Sequence, residues 1–450
     1  MNKPRHSWID AILVYRQPRV WAMMFLGFSA GLPLLLVFGT LSGWLSRVGI
    51  DKTTIGFISW VAILYGLKFI WSPIVDRVRI PFFYTHFGQR RSWMLIAQVS
   101  LIIGLLNMAV QDPHTHLNLL VWFALLVAFS SATQDIAIDA WRIEALPVES
   151  QGAMAGTYQL GYRLGMLIAG GGAFSIAHFY SWPTAYSVMA LAMTIGIITT
   201  LLIPEPDHTV SKDTWKLEEK VIAFLERSAH LPKVVRDAYA WFIGAVICPF
   251  TEFFTRNGNM AIAILIFIGL FRISDITMGV MANPLYVDRG YSDLDIGLIT
   301  KTIGPIVTIF GALMGGILVF RYGVFKMLLA GEILVILTNL AFAFLAVLPA
   351  DLVYLSVVVG ADNLAGGIAG SCFIAYLSGL TNRAYTATQY ALFSSLMLLP
   401  AKFIGGFSGL MVDSYGFVSF FIYAAALGIP AIALIMYLMR RSDFNGTTNL

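Results

Sequence analysis

The chain has 450 residues, of which 58% are hydrophobic and 12% are charged. Soluble chains carry roughly 25% charged residues, so this composition excludes an ordinary soluble domain and predicts an all-α membrane protein in a lipid bilayer. The formal net charge is only +4, and we expect no nucleic-acid partner. The two cysteines, Cys248 and Cys372, have no metal-type spacing, so we predict neither a disulfide nor a metal site.

Apolar stretches long enough to cross a bilayer, which takes about 20 residues, occur along the whole chain. One connection is much longer than the others and separates six predicted spans from another six. The twelve predicted spans are 20–46, 54–74, 92–111, 117–141, 151–178, 182–203, 259–287, 294–320, 325–348, 351–380, 386–411 and 416–439. The predicted domains are a 1–19 N-terminal segment, a 20–203 six-helix bundle, a 204–258 linker, a 259–439 six-helix bundle and a 440–450 tail.

The placement of Lys and Arg predicts how the spans are oriented. The first 19 residues contain four basic residues and no cleavable small-residue site, so we expect no signal peptide. With the N-terminus inside, twenty basic residues fall in the inner segments and three, Arg47, Lys52 and Arg289, fall in the outer loops. This bias predicts that both termini and the linker face the cytoplasm.

The linker contains two helical patterns. Residues 213–231 place apolar side chains on one stripe flanked by charged ones, which predicts an amphipathic helix on the inner leaflet. Residues 238–251 are apolar but short and include Pro249. We predict that this second segment is an interfacial or re-entrant piece and not a span.

The two halves of the chain are weakly similar. GIDKTTIGFIS (49–59) resembles GYSDLDIGLIT (290–300), and residues 146–171 resemble 380–406, each at corresponding places in the two halves. Two parallel six-helix repeats, with the substrate between them near the midplane, are the layout of the major facilitator superfamily. We therefore predict that fold, with twelve transmembrane helices in two bundles.

The loop between the second and third spans contains charges that suggest a gate. Asp76 and Arg77, followed by Arg90 and Arg91, resemble a stretched form of the loop motif of that superfamily, in which such residues pair across helix ends and latch one conformation. Alternatively, the basic residues serve only as a positive-inside anchor.

A second charged cluster follows an apolar helix within residues 130–172. Asp135, Asp139 and Arg142 are spaced i, i+4, i+7, so they share one helical face, and Arg163 lies on the next helix. Charges at membrane depth are costly, so this face should look toward partners or water and away from lipid. We predict that a transporter's coupling site is built here; the alternative is a structural salt bridge within a helix pair.

Isolated charges in other spans are further candidates. Burial disfavours an ionised carboxylate and a nearby cation favours it, so a motion that separates them changes protonation. The proton-coupling candidates are Asp135, Asp139, Asp275 and Asp362. Cations suit an anionic substrate, because Arg grips a carboxylate bidentately. The cationic candidates are Lys68, Arg163, Arg272 and Lys402. Lys301 and Glu332 lie near predicted helix ends, and we expect them to snorkel.

Aromatic and amide side chains complete the predicted substrate site. Aromatic faces suit sugar rings, although an aromatic in a membrane helix more often packs or lies in an interfacial belt. The aromatic candidates are Trp60, Trp141, Tyr158, Tyr162 and Tyr376. The neutral hydrogen-bonding candidates are Gln134, Asn363 and Gln389.

The sequence lacks the common motifs of catalysis. It has no Walker motif, GxSxG, HExxH or Gly-rich dinucleotide loop. We therefore predict that the protein is not an enzyme and uses no cofactor. The carboxyl groups in the spans predict protons as the coupling ion.

Several motifs resemble one family. GFSAGLPLLLVFGTLSGWL (27–45), FGQRRSW (87–93), SATQDIAIDAWRIEALP (131–147), GYRLGMLIAGG (161–171) and, in the second half, ANPLYVDRGYS (282–292) are similar to the AmpG-type muropeptide permeases of Gram-negative bacteria. The resemblance implies proton-driven import, across the inner membrane, of anhydro-muropeptides released by wall turnover. These are GlcNAc–anhydroMurNAc disaccharides, usually with a peptide, and their recycling feeds the induction of β-lactamase in some bacteria.

The resemblance also carries site residues over by motif. They are Lys68, Gln134, Asp135, Asp139, Trp141 and Arg163. We expect a monomer that binds an anionic sugar–peptide. A siderophore or acyl-CoA-type permease is an alternative, because such transporters share part of the QDIAIDA stretch (134–140). A non-transporting receptor or scaffold is a second alternative, against which the costly charges in the spans argue.

Overall fold

The computed structural model describes residues 8–51, 63–206 and 232–444, together with 54, 55, 58, 61, 221 and 226. The described residues are helical almost throughout, as expected where every backbone N–H and C=O must be paired within the chain. The amphipathic helix predicted at 213–231 lies outside the described residues except for Val221 and Glu226.

The first bundle contains six helical spans, preceded by a short helix, Trp8–Leu13. Some spans consist of two helices in sequence. The helices are Pro18–Val37 and Gly39–Arg47 (span 1), Ile63–Leu67 and Ser72–Arg77 (span 2), Gln89–Val110 (span 3), Leu117–Ala145 (span 4), Val148–Leu167 and Ala173–Phe179 (span 5), and Trp182–Ala192 and Thr194–Leu202 (span 6).

The second bundle repeats this arrangement. Its helices are Met260–Leu270 and Ile273–Asp288 (span 7), Gly304–Tyr322 after a π-helical turn (span 8), Val324–Leu345 (span 9), Leu352–Leu380 (span 10), Thr386–Gly405 (span 11) and Ser408–Ala426 followed by Ile429–Phe444. Gly416 interrupts the penultimate helix with φ 77° and ψ 168°. A positive φ is a conformation that favours glycine. Gly416 therefore ends one helical segment, and span 12 begins directly after it.

Eleven helical stretches among the described residues are long and apolar enough to cross a membrane. Ten of the predicted spans are among them, whereas the second and eleventh are not. The additional stretch, Val235–Asn257, belongs to the linker. Two matched bundles of helices therefore agree with the predicted architecture.

The linker segment predicted to be short is a continuous helix. Lys233–Phe242, a π-helical turn Ile243–Ile247 and Cys248–Asn257 follow one another without a break. The helix therefore continues through Pro249 and extends beyond both ends of the short segment predicted at 238–251. Pro249 stands in the first turn after the π-helical segment, where a residue without an N–H is tolerated.

This linker helix lies across the ends of both bundles. The carbonyl oxygen of Pro249 accepts a hydrogen bond from Nε2 of Gln389 at 2.9 Å, and Gly244 is in contact with the guanidinium of Arg77. Glu252 is buried and accepts hydrogen bonds from Gln389 and Asn382. We call the end of the bundles that these contacts define the linker end.

Small residues bring spans 1 and 5 into direct backbone contact. A Cβ atom added to Gly161 would lie 1.7 Å from the carbonyl oxygen of Met24, and one added to Gly27 would lie 2.2 Å from that of Tyr158. Glycine is therefore the one residue that fits at this crossing. Close approach of this kind is the main way in which membrane helices pack, and it makes the first bundle a stiff unit.

We expect Gly161→Ala to destabilise the first bundle, because the added methyl group overlaps the backbone of span 1. Overpacking costs about 1–3 kcal/mol, and thermal unfolding of the purified protein in detergent measures it. Gly171→Ala is the matched control on the same span, since its Cβ would have no neighbour within 4 Å. Equal stability of the two variants would contradict this description of the crossing.

Candidate functional site

A chain of opposite charges links spans 2 and 4. Nζ of Lys68 lies 3.8 Å from Oδ2 of Asp139, and Nη2 of Arg142 lies 3.3 Å from Oδ1 of the same carboxylate. The side chains of Lys68 and Asp139 are 13% and 18% exposed, whereas that of Arg142 is 2% exposed. Asp139 therefore stands between a partly solvated cation and a fully buried one.

Arg142 also connects the two bundles. Its Nη1 donates to Oε1 of Gln151 and to the hydroxyl of Ser378 on span 10, both at 2.9 Å. Its guanidinium lies over the ring of Tyr390 on span 11, 5.1 Å from the centroid. Sequence reasoning placed Arg142 on the correct helical face but missed Ser378, because no local pattern shows which spans meet.

Asp135 lies one turn from Asp139 and has a different environment. Its Oδ1 is buried and has no hydrogen-bond donor among the described residues. Lys68 and Asp139 are the charges that act on it most. The neighbouring Gln134 instead packs inside the first bundle, where its Oε1 accepts a hydrogen bond from Ser29 at 2.9 Å. Asp135 is thus a buried carboxyl group beside the Lys68–Asp139 pair.

Two guanidinium groups on opposite bundles lie within electrostatic range of each other. Arg163 on span 5 and Arg272 at the start of the second helix of span 7 are near enough for their charges to interact. The Nε atom of each has no hydrogen-bond partner among the described residues. Tyr162 precedes Arg163, and its ring lies 5.9 Å from that of Tyr158. Cations from both halves with unused donors form a surface suited to an anion.

A carboxylate already partners one of these cations. Nη2 of Arg272 lies 2.5 Å from Oδ2 of Asp275, and the two side chains are 28% and 22% exposed. Both charges also act on Asp362 on span 10, whose Oδ1 accepts a hydrogen bond from Thr338 at 3.2 Å. The second bundle therefore carries its own charged group, close to the boundary between the bundles.

The side-chain amide of Asn363 on span 10 makes its hydrogen bonds within the second bundle. Oδ1 of Asn363 accepts from Thr308 at 2.7 Å, and its Nδ2 donates to the carbonyl of Val359 at 2.8 Å. These bonds hold spans 8 and 10 together and leave little of the amide for a ligand.

Several predicted substrate residues lie away from this site. Trp141 is fully buried and donates from Nε1 to the carbonyl of Pro204 at 2.9 Å. Tyr376 is buried in an aromatic cluster with Phe267, 5.3 Å between centroids. Both rings are enclosed by packing in these cores, so the structure corrects both assignments.

Three more predicted positions are placed elsewhere or lie outside the description. Gln389 is buried and bonded to the linker helix, which corrects its assignment to the substrate surface. Lys402 is exposed on span 11. Trp60 lies outside the described residues. The expectation that Glu332 snorkels is wrong, because it is buried on span 9.

The predicted gate joins the bundles at the linker end. Asp76 accepts hydrogen bonds from the backbone N–H groups of Ala387 and Thr388, at 3.0 and 2.7 Å, at the start of span 11. Nη2 of Arg90 lies 2.9 Å from Asp76 and 2.6 Å from Glu144. A helix N-terminus favours an anion, so the Asp76 carboxylate holds span 11 against the first bundle.

The two other basic residues of the predicted gate differ. Arg77 lies over the ring of Tyr385, 5.9 Å from the centroid, and so contacts the second bundle. Arg91 donates to the carbonyl oxygens of Thr200 and Leu201 at 2.8 Å, within the first bundle. Arg91 therefore caps the end of span 6, and its place in a gate between bundles is corrected.

The contacts between the bundles thus gather at the linker end. Besides the Asp76 and Arg142 bonds, Tyr15 donates to the carbonyl of Leu313 at 2.7 Å. Spans 5 and 8 also touch, since a Cβ on Gly152 would lie 3.0 Å from the Cα of Gly316. The linker end is closed, and the partly exposed charges lie deeper along the spans. Two bundles that close at one end around charged groups are the architecture of a secondary transporter.

Comparisons with known proteins agree with this architecture. The family model of the Major Facilitator Superfamily matches residues 22–404. The anhydromuropeptide permease of Escherichia coli (strain K12) is 36% identical over 425 residues, 94% of this chain and 80% of the relative. A putative transporter AmpG 4 of Rickettsia felis is 32% identical, over 95% of this chain and 98% of the relative. The chain therefore belongs to the AmpG-type permease family of the major facilitator superfamily.

Solved structures give the same fold at low sequence identity. The outward conformation of the transporter FucP superimposes with a TM-score of 0.66 at 10% identity, covering 93% of this chain and 97% of that one. The proton:xylose symporter XylE, bound to 6-bromo-6-deoxy-D-glucose, gives a TM-score of 0.60 at 14% identity, covering 96% and 95%. At these identities the likeness supports the fold alone.

We expect Asp76→Ala to loosen the linker end, because two backbone N–H groups of span 11 and Arg90 lose their shared acceptor. Hydrogen exchange read by mass spectrometry should show faster exchange in a peptide covering 386–391. Asp351→Ala is the control, since Asp351 caps span 10 within one bundle through the N–H of Val353. Unchanged exchange at 386–391 in Asp76→Ala would show that this carboxylate does not hold the bundles together.

Proposed function

We propose that the protein is a proton-coupled importer of anhydro-muropeptides across the bacterial inner membrane, acting in cell-wall recycling. The named relative that is 36% identical over 94% of this chain supports the substrate class. The excess of Lys and Arg in the inner segments supports an orientation with both termini in the cytoplasm. The linker end then faces the cytoplasm, and the closed linker end corresponds to a transporter open toward the periplasm.

The observation that carries the proposal is the pair of guanidinium groups on opposite bundles. An anhydro-muropeptide with a peptide stem bears carboxylates, and Arg163 and Arg272 each have an Nε donor without a partner. A carboxylate bound between them would relieve the repulsion of two like charges and draw the bundles together. Tyr158 and Tyr162, next to Arg163 along span 5, offer rings against which a sugar can stack.

Proton coupling in the first bundle is proposed to act through Asp139. A proton on this carboxylate would remove its attraction for Lys68 and Arg142 at once. Arg142 also holds Ser378 on the second bundle, so a change at Asp139 reaches the closed end through one side chain. Asp135, one turn away, is the carboxyl group proposed to take the proton first and pass it to Asp139, because its Oδ1 lacks a donor of its own among the described residues, so coupling needs both carboxyl groups.

We expect Asp135→Asn to fold normally and lose gradient-driven accumulation of labelled anhydro-disaccharide in liposomes, because an amide cannot titrate. Exchange of labelled for unlabelled substrate, without a gradient, should continue. Asp112→Asn in an exposed loop is the matched control. Full accumulation by Asp135→Asn would move coupling to another carboxyl group.

We expect Arg163→Lys to bind the anionic substrate roughly tenfold more weakly, a loss of about 1.4 kcal/mol, because an ammonium cannot donate bidentately. Equilibrium binding of a labelled muropeptide that carries a peptide stem measures the change. Arg47→Lys, on an exposed arginine of span 1, should bind as the wild type does. Unchanged affinity in Arg163→Lys would make this arginine structural. Uptake of a ferric siderophore in place of the disaccharide would contradict the proposed substrate.

A further inference from the structure

One buried carboxyl group takes no part in the mechanism described so far. Glu332 on span 9 is 1% exposed, and its Oε1 has no hydrogen-bond donor among the described residues. This oxygen lies against the backbone of span 12, where a Cβ on Gly428 would be 2.9 Å away. The carboxyl group is therefore enclosed between helices and does not reach the end of the bundle.

Charged groups on two neighbouring spans lie near Glu332. Arg272 and Asp275 on span 7 both act on it. Span 10, which also packs against span 9, contributes Asp362, and this carboxyl group is bonded to Thr338, six residues beyond Glu332 on span 9. Arg272 is thus a cation whose charge acts on Glu332, and Asp275 already pairs with it.

Energetics decide which group holds a proton in this conformation. An ionised carboxylate that is buried without a donor or a paired cation costs several kcal/mol or more. Asp275 avoids this cost by pairing with Arg272 and by its partial exposure. Glu332 has neither benefit, so its neutral, protonated form is the one that fits this site.

Resting on the proposed function above, we propose that Glu332 and Asp275 share one proton and one cation, and exchange them during transport. In this structure Asp275 is ionised and paired with Arg272 while Glu332 holds the proton. When Arg272 turns to Glu332, the proton passes from the Glu332 carboxyl to the Asp275 carboxylate. One N–H···O pair is then replaced by another, and the net charge of the three groups does not change.

Exposure gives the two carboxyl groups different tasks. Asp275 is 22% exposed and is therefore the group proposed to exchange a proton with the aqueous space, whereas Glu332 is 1% exposed and exchanges it through its neighbours. Glu332 is thus the buried group that holds the proton, and Asp275 is the group through which the proton enters and leaves. An anionic substrate that binds Arg272 competes with both carboxylates, which makes its binding depend on where the proton lies.

The first test is transport by Glu332→Gln in liposomes, since glutamine keeps the shape but cannot exchange a proton. Proton-driven accumulation of anhydro-disaccharide should fall at least tenfold, while exchange without a gradient stays within about twofold of wild type. Asp413→Asn, an exposed carboxyl in the same bundle, should accumulate as wild type does. Full accumulation by Glu332→Gln would overturn the inference, and wild-type protein that accumulates nothing would instead contradict the proposed function.

A second test needs no substrate. The infrared carbonyl band of protonated carboxyl groups in the wild-type protein should lose a component in Glu332→Gln that Asp413→Asn retains. If Glu332→Gln does not fold, Glu332→Asp keeps the carboxyl group and should shift that component. A spectrum unchanged by either substitution would show that Glu332 is ionised, and the proton exchange proposed here would be wrong.

Discussion

The carboxylate of Asp76 is the interaction on which the observed arrangement of the bundles depends. It accepts from two backbone N–H groups at the start of span 11 and lies 2.9 Å from Arg90, which Glu144 holds in turn. An anion at a helix N-terminus gains from the helix dipole and from donors that have no other partner. This tie between the first bundle and the second is made by polar groups, so it can be released.

Stiffness within each bundle and polar contact between bundles complement one another. Spans 1 and 5 cross at glycines with no room for a side chain, and Phe267, Phe373 and Tyr376 fill the second bundle with stacked and edge-on rings. Such packing has few alternative arrangements. The contacts between bundles include charged and hydrogen-bonding groups, such as Asp76 and Arg142, whose partners can be exchanged for water or for a ligand. Motion therefore concentrates at the boundary, as alternating access requires.

The linker helix adds a third component to this boundary. It contacts Arg77 of the first bundle, and its Glu252 binds Asn382 and Gln389 of the second. Each contact lies at the linker end, next to Asp76 and span 11. Separation of the bundles there must either carry the linker helix along with one bundle or break its contacts with the other, so the linker takes part in opening and is more than a connection.

Fold and site were predictable to different degrees from the sequence. Twelve apolar stretches and one long connection define two bundles, because membrane spans need a minimum length and an apolar surface. The spacing of Asp139 and Arg142 correctly placed both on one face, since helical periodicity is a local property.

What sequence could not supply is which residues on a helix meet another helix. Trp141 adjoins Arg142 but points to Pro204, and Tyr376 lies two residues before Ser378 but packs in a core. Polar or aromatic type alone does not separate these roles. Glu332 was mistaken for a residue at a helix end because its burial depends on span 12, whose Gly428 lies about a hundred residues away.

The contact between spans 5 and 8 has a consequence for how the bundles turn. Gly152 meets Gly316 and Gly156 meets Ala312 with almost no side chain between the two backbones. A point where two rigid bodies touch so closely moves least when they rotate, and it acts as a fulcrum. Because this contact lies toward the linker end, the helices that run from it to the opposite tips are long, and a small tilt of one bundle against the other becomes a wide displacement at those tips.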